Sequence, residues 1–411
     1  MSSIEAGKPS LFHRAVVVSA LGYFVDIYDL ILFSIVRKKS LLDIGVSDSR
    51  ILDSGMMLLN LQMCGMLLGG LIWGILGDKR GRVSVLYGSI LLYSLANLSN
   101  AFVQSEEAYG LIRFIAGIGL AGELGAAITL VSEVLGKDLR SAAAGVVAGF
   151  GLLGSVAAAL IGEFLGWRFA YALGGGLGLI LLFVRLKSGE SEIFAKVSAD
   201  KNLSRGQFLD FFKSRDRFYR YIRCIGLGVP VWLVVGIFAT LAPDLALARG
   251  LPFEVKASVA VMLVYAGLAL GDLASGVLSH KFGTRRGIIF VFMLSAFVLS
   301  LCHLLWNVQS STLYYACFAL MGAAVGYWAI FVLTTAETFG TNLRATATTT
   351  VPNFVRGSLV PMNLVVSFFA HRGSVLSGVW IATFLAFVCS FWSVWMLRDT
   401  HGRDLNFTES T

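Results

Sequence analysis

Charge is scarce in this chain. Asp, Glu, Lys and Arg make up 14% of its 411 residues, whereas hydrophobic residues make up 56%. Water-soluble domains carry roughly a quarter of their residues as charged side chains, so a soluble globule of this length is excluded. The mean hydropathy of +0.77 assigns the chain to a lipid bilayer. Cysteine is equally sparse. The five present, Cys64, Cys224, Cys302, Cys317 and Cys389, lie in or beside apolar runs, without close spacing or neighbouring histidines. That pattern argues against a disulfide framework or a metal site and leaves small-hydrophobe roles. The five histidines, near the ends of apolar runs and in loops, form no Ser/His/Asp or Cys/His set. Enzyme chemistry is not expected.

What is present is a series of long apolar runs. A helix needs roughly 20 apolar residues to cross the hydrocarbon layer. Twelve stretches qualify, at 13–36, 52–76, 83–103, 108–133, 141–163, 166–186, 221–243, 257–280, 286–307, 312–336, 345–369 and 374–397. They are too long for strands, so the fold class is an all-α membrane protein with twelve transmembrane helices. The opening "MSSIEAGKPSLFHR" is polar and runs straight into the first span, unlike a cleavable signal, and that span is expected to be retained. With both termini inside, the inner segments hold 23 Lys and Arg and the outer ones seven. The positive-inside rule then predicts a multi-pass protein of the cytoplasmic (inner) membrane with both ends in the cytoplasm. The net charge of +8 reports topology, and no nucleic-acid partner is expected. Arg37, Lys38 and Lys39 go against the rule, and nothing in the sequence accounts for them.

The longest polar segment separates six spans from six. The expected organisation is a six-helix bundle over 1–186, a cytoplasmic linker over 187–220 and a second six-helix bundle with a cytoplasmic tail over 221–411. Within the linker, "GQFLDFFKSRDRFYRYIR" predicts a basic amphipathic helix on the inner membrane surface. An internal repeat supports the division. "GILGDKRGR" at 74–82 recurs, weakened, as "GVLSHKFGT" at 276–284, and "SEVLGKDLRSAAAG" aligns with "AETFGTNLRATATT". Two pseudo-symmetric six-helix halves imply a binding site between them near mid-membrane, exposed to each side in turn.

On these residues the chain resembles the major facilitator superfamily over nearly its full length. "GILGDKRGR" is similar to that superfamily's loop between the second and third spans, with Gly77, Asp78, Arg80, Gly81 and Arg82 on its marked positions. "RFIAGIGLAGELGAAITLVSE" from Arg113 resembles the fourth span of its proton-coupled metabolite symporters, and "GYFVDIYDL" resembles the first span of both these and the phosphate symporters. The resemblance implies a secondary active transporter, working by alternating access on the major facilitator fold. Expected partners are protons, a small anionic substrate and the bilayer, with a monomer as the working unit. No cofactor is expected beyond the proton gradient as driving force.

The residues themselves say which side chains carry that work. Ionised groups at mid-bilayer cost several kcal/mol and persist only where they face a cavity or a partner. Asp26 and Asp29 lie one helical turn apart, so both can face one cavity, and with Glu123 amid glycines in the fourth span they are the expected proton-coupling acids. Arg113 in the fourth span and Arg356 between Pro352 and Pro361 in the eleventh are the expected anion-binding cations, with Asp272 the alternative partner for Arg356. Tyr28, Trp232, Tyr265, Tyr327, Trp328 and Asn353 are candidate lining residues. Gly77, Asp78, Arg80, Gly81 and Arg82, with Glu133, Arg140 and their repeat partners Glu337 and Arg344, are expected to form the cytoplasmic gate. "GFGLLGSVAAALIG" in the fifth span reads as a small-residue packing face, since no Lys-Ser/Thr follows to make a nucleotide loop. Organic acids, including citrate-like polycarboxylates, fit best as substrate; inorganic phosphate, and export of a metabolite or drug, are the alternatives.

Overall fold

The computed structural model describes residues 14–80, 82–123, 137–186, 208–306, 308–402 and 409. Among these, all regular structure is helical. The helices are α1 (Arg14–Asp43), α2 (Ile51–Arg80), α3 (Arg82–Asn100), α4 (Glu106–Leu120), α5 (Lys137–Phe164), α6 (Trp167–Leu186), α7 (Arg215–Trp232), α8 (Ala242–Ala248), α9 (Ala257–Phe282), α10 (Arg286–Leu305), α11 (Ser311–Ala324), α12 (Trp328–Thr338), α13 (Thr341–Gly357), α14 (Leu359–Ala370) and α15 (Val375–Trp395). Among the described residues nine stretches, including α7 with its extension to Ala239 and α11 with α12, are long and apolar enough to cross a membrane alone. The other three expected passages are α3, α4 and the pair α13–α14. With an even number of passages, Arg14 and Trp395 lie on one face, here the terminal face. The opposite, distal face carries the turns after Asp43, Asn100, Phe164, Ala248, Leu305 and Ala370.

Burial ranks the helices. In α1 78% of the most apolar window is buried, and in the passage Arg215–Ala239 83%, against 39% in α6, α10 and α15. The first two are central, and the last three present a broad face to lipid. Packing is closest where glycines remove the side chain. A methyl group at Gly154 on α5 would stand 3.0 Å from both the carbonyl carbon of Phe24 and the amide nitrogen of Tyr28, so α5 lies directly on α1 there. The glycine-rich run of the fifth span is thus the packing face its composition predicts.

Most helix bounds lie within a few residues of those read in the sequence, and two differ with consequence. Helix α1 continues past residue 36 to Asp43, taking Arg37, Lys38 and Lys39 into the helix. Arg37 is only 3% exposed and pairs with Asp244 on α8, which is the reason for the anomalous cations that local sequence lacks. The seventh passage starts at Arg215, earlier than 221, so the second part of the expected surface helix belongs to α7. Before it, Phe208–Phe211 makes one tight turn, and Phe211 is buried with its ring stacked 4.6 Å from Tyr221.

Candidate functional site

Four passages are broken at mid-length. In the seventh, Pro230 removes a backbone donor, and Leu233–Ala239 follows wound as a π-helix. The tenth is interrupted between α11 and α12, the eleventh at Ser358 between α13 and α14, and α4 ends at Leu120, just before Glu123. Irregular backbone inside a membrane protein is tolerated only where it is covered by protein or lines a cavity. A cavity lies beside three of these breaks. Its walls are Tyr23, Ile27, Leu30 and Leu152 from the first half of the chain, with Val231, Trp232, Val235, Tyr265, Leu268, Trp328 and Arg356 from the second. About 20 Å³ is open to the centre of a water molecule. That is room for a water or two, so an organic substrate requires the walls to separate.

Arg356 is the charged group of this lining. It is 2% exposed, its Nη1 donates to Asn353 Oδ1 at 3.2 Å, its guanidinium carbon lies 6.0 Å from the Trp328 ring centre, and its Nε finds no acceptor. Asn353 in turn donates to Ala121 O at 3.0 Å, tying the eleventh passage to the fourth. Asp272 is occupied elsewhere. Its Oδ1 accepts the amide of Ala329 at 3.0 Å, so it holds the first turn of α12 and leaves Arg356 without a hydrogen-bonded carboxylate among the described residues.

Across the interface, Asp26 lies within electrostatic reach of Arg356, and Asp29 within reach of Arg113. Both aspartates are fully buried, and none of their four carboxyl oxygens has a hydrogen-bond partner. Buried polar groups are normally satisfied. Two buried carboxyls one turn apart thus keep accepting capacity, with the Asn97 side chain close to Asp29.

Arg113 sits inside the first six-passage group, not on the cavity. Its Nη1 donates to Tyr171 Oη and its Nη2 to Asn97 Oδ1, each at 3.2 Å. The Tyr171 hydroxyl continues to Tyr109 at 2.8 Å, which donates to Ser40 Oγ at 3.2 Å. Glu123 is held separately. Its carboxylate takes both ends of the Arg185 guanidinium, at 2.5 and 3.1 Å, with both side chains buried.

Of the lining candidates, Trp232, Tyr265 and Trp328 do line the cavity, and Asn353 meets it through Arg356. Tyr28 and Tyr327 do not: their hydroxyls are spent on the carbonyls of Ala170 and Leu227, each at 2.9 Å. Sequence reading missed Tyr23, although it lies one turn before Asp26, and it missed Arg185, because nothing local links residues so far apart. Among the gate residues, Glu337 accepts Arg285 Nε at 2.6 Å and Nη2 at 2.7 Å and also Thr400, while Arg344 Nε donates to Ala336 O at 2.9 Å. Gly81 and Glu133, and the side chains of Asp78, Arg80, Arg82 and Arg140, lie outside the described residues, as does Gly77 beyond its place in α2.

The sequence model of the Major Facilitator Superfamily matches residues 19–358, from the first passage to the break in the eleventh. The chain belongs to the major facilitator superfamily. It is a multi-pass membrane transporter by family, and not an enzyme. NiaP of Bacillus subtilis strain 168, named for niacin and nicotinamide transport, is 28% identical over 389 residues, 90% of this chain and 93% of that protein. The sialic acid transporter NanX of Escherichia coli K12 is 25% identical, covering 83% of each chain. Among solved structures, the proton:xylose symporter XylE bound to 6-bromo-6-deoxy-D-glucose superposes with a TM-score of 0.73 at 15% identity, over 95% of this chain and 97% of XylE. The shared fold accounts for two groups of six passages with a cavity between them.

Proposed function

We propose that this superfamily member is a proton-driven importer of a small organic acid bearing one carboxylate. The observation that carries the reading is the cavity lining: one guanidinium, Arg356, with unused donor capacity, set among Tyr23, Tyr265, Trp232 and Trp328. A guanidinium fork matches one carboxylate with two parallel hydrogen bonds, and aromatic walls suit a flat or apolar body. A citrate-like polycarboxylate would bring two or more charges to a lining with one cation, and inorganic phosphate has no apolar body for the aromatic walls, which makes both weaker fits. Niacin and sialic acid, in the names of two relatives, each carry a single carboxylate.

In this reading Asp26 and Asp29 carry the protons, since their oxygens are unbonded, while Glu123 is already engaged by Arg185. Protonation of Asp26 removes a competitor for Arg356 and lets the substrate carboxylate take its place. Arg113 balances Asp29. Alternating access follows from rocking of the two halves, 1–186 and 221–411, with the loop residues near 77–82, Glu133 and Arg140 and their counterparts Glu337 and Arg344 as the gate on the terminal face. The excess of Lys and Arg on that face supports its assignment as cytoplasmic, in an inner membrane.

The test is uptake by proteoliposomes under an inward proton gradient, with nicotinate, benzoate, citrate and phosphate as parallel substrates. Accumulation of a monocarboxylate, abolished by a protonophore, is expected. Accumulation of citrate or phosphate alone would overturn the assignment.

A further inference from the structure

The distal face is tied shut by polar links, most of which join passages of the first six to passages of the last six; Lys39–Glu163 lies within the first six and holds Glu163 for its partners across the interface. Arg37 on α1 pairs with Asp244 on α8. Glu163 at the end of α5 takes Lys39 Nζ at 2.9 Å and Lys256 Nζ at 2.8 Å, and accepts Ser258 Oγ at 3.3 Å. Asp53 at the start of α2 accepts Ser367 Oγ and meets His371 Nε2, each at 3.2 Å, and Asn363 donates to Asn60 at 2.8 Å on the same pair of passages.

These links differ in burial, and burial decides which of them governs opening. Lys39 and Lys256 are each 52% exposed and His371 63%. Exposed pairs gain little, because water and salt compete for both partners. Arg37 is buried, and Gly55 on α2 makes the room: a methyl group there would lie 2.9 Å from Arg37 Nη1. Nε and Nη1 of Arg37 have no acceptor. The pair is buried on its Arg37 side while Asp244 is 23% exposed, so separation rehydrates the guanidinium and offsets part of the lost attraction. The net attraction that favours the closed state is therefore small, on the order of 1 kcal/mol, as a gate that cycles requires.

We propose that Arg37 and Asp244 form the latch of the distal gate, positioning residues that hold the cavity closed on that side. Removing one charge strands the other in a dry interface and favours the open state. Removing both abolishes the link without stranding a charge. The proposal rests on alternating access and not on which substrate is carried.

The test reads access to the cavity directly. In protein whose native cysteines are replaced by serine, Leu152→Cys places a thiol on the cavity wall, and a membrane-impermeant maleimide is applied from each face in turn. Asp244→Asn and the double variant Arg37→Ala with Asp244→Ala are both expected to raise labelling from the distal face about tenfold, the size of change one lost ion pair of roughly 1.4 kcal/mol produces. The exchanged pair, Arg37→Asp with Asp244→Arg, is expected to return labelling toward the parent rate. The double alanine variant leaves no lone buried charge and keeps the test decisive if Asp244→Asn does not fold. Distal labelling within twofold of the parent in the double alanine variant would overturn the latch. So would equal labelling in the exchanged and alanine pairs.

Discussion

The Glu123–Arg185 pair sets a stability experiment whose size follows from its burial. Both side chains are nearly inaccessible, and the guanidinium meets both carboxylate oxygens. Arg185→Met would leave the Glu123 carboxylate alone in a dry interior, and losing one member of such a pair costs about 3–5 kcal/mol. Glu123→Gln would strand the arginine at a similar cost. The double variant removes both charges and leaves only an uncharged amide without a partner, so its loss is expected at about 1–3 kcal/mol, no larger than either single loss. The two single losses sum to at least about 6 kcal/mol, so the cycle predicts a coupling energy of several kcal/mol between positions 62 residues apart in sequence. Reversible denaturant unfolding of the four proteins in one detergent, followed by tryptophan fluorescence, measures it. Additive losses, with the double variant as unstable as the sum of the singles, would refute the claim that the two charges exist for each other.

Three further outcomes are expected. Arg356→Ala should weaken monocarboxylate binding by roughly 10- to 100-fold, the worth of a charge-assisted hydrogen bond in a buried site, with Arg356→Lys losing less; equal, small effects in calorimetry would assign Arg356 to packing. Asp29→Asn should abolish accumulation driven by a pH gradient while leaving substrate exchange across the membrane, and full gradient-driven accumulation would sink its role as proton carrier. Asp399, beyond the last span, concerns pH: burial raises its carboxyl, but hydrogen bonds from Thr284 Oγ1 and from the backbone amides of His401, Arg285 and Arg286 outweigh this and hold it below the usual range. A carboxylate so held stabilises the fold above its unfolded value and loses that contribution as pH falls through the folded one, below about pH 4. The difference in unfolding midpoint between wild type and Asp399→Asn should therefore shrink on going from pH 7 to pH 3.5, and a constant difference would refute it.

The passages were legible because a bilayer imposes a length on every apolar run, and among the described residues each of the twelve expected spans falls on a helix or a pair of helices. Their interruptions were only partly legible. Pro352 and Pro361 point to the broken eleventh passage and Pro230 to a disturbed seventh, but the π-helical winding that follows Pro230 and the break before Trp328 carry no local signal that separates them from an ordinary apolar helix. Asp26, Asp29, Glu123 and Arg356 stood out because charge in lipid is costly. Their partners did not stand out. Arg185 sits at the end of a span, where a basic residue is ordinary, and became notable only when folding buried it against Glu123; Arg37 stood out as a cation on the wrong side, but its partner Asp244 did not.

Hydrophobicity and the cost of buried charge are properties of single residues and short runs. They were therefore enough, without coordinates, to determine a helical membrane protein with acids and arginines in its interior. Which acid meets which arginine depends on how helices far apart in sequence pack side by side, and only the tertiary structure decided that: Glu123 goes to Arg185, Arg37 to Asp244, and Arg356 keeps a donor unspent in an aromatic cavity. Electrostatic attraction falls off over a few ångströms, so pairing is a fact about packing and not about sequence distance.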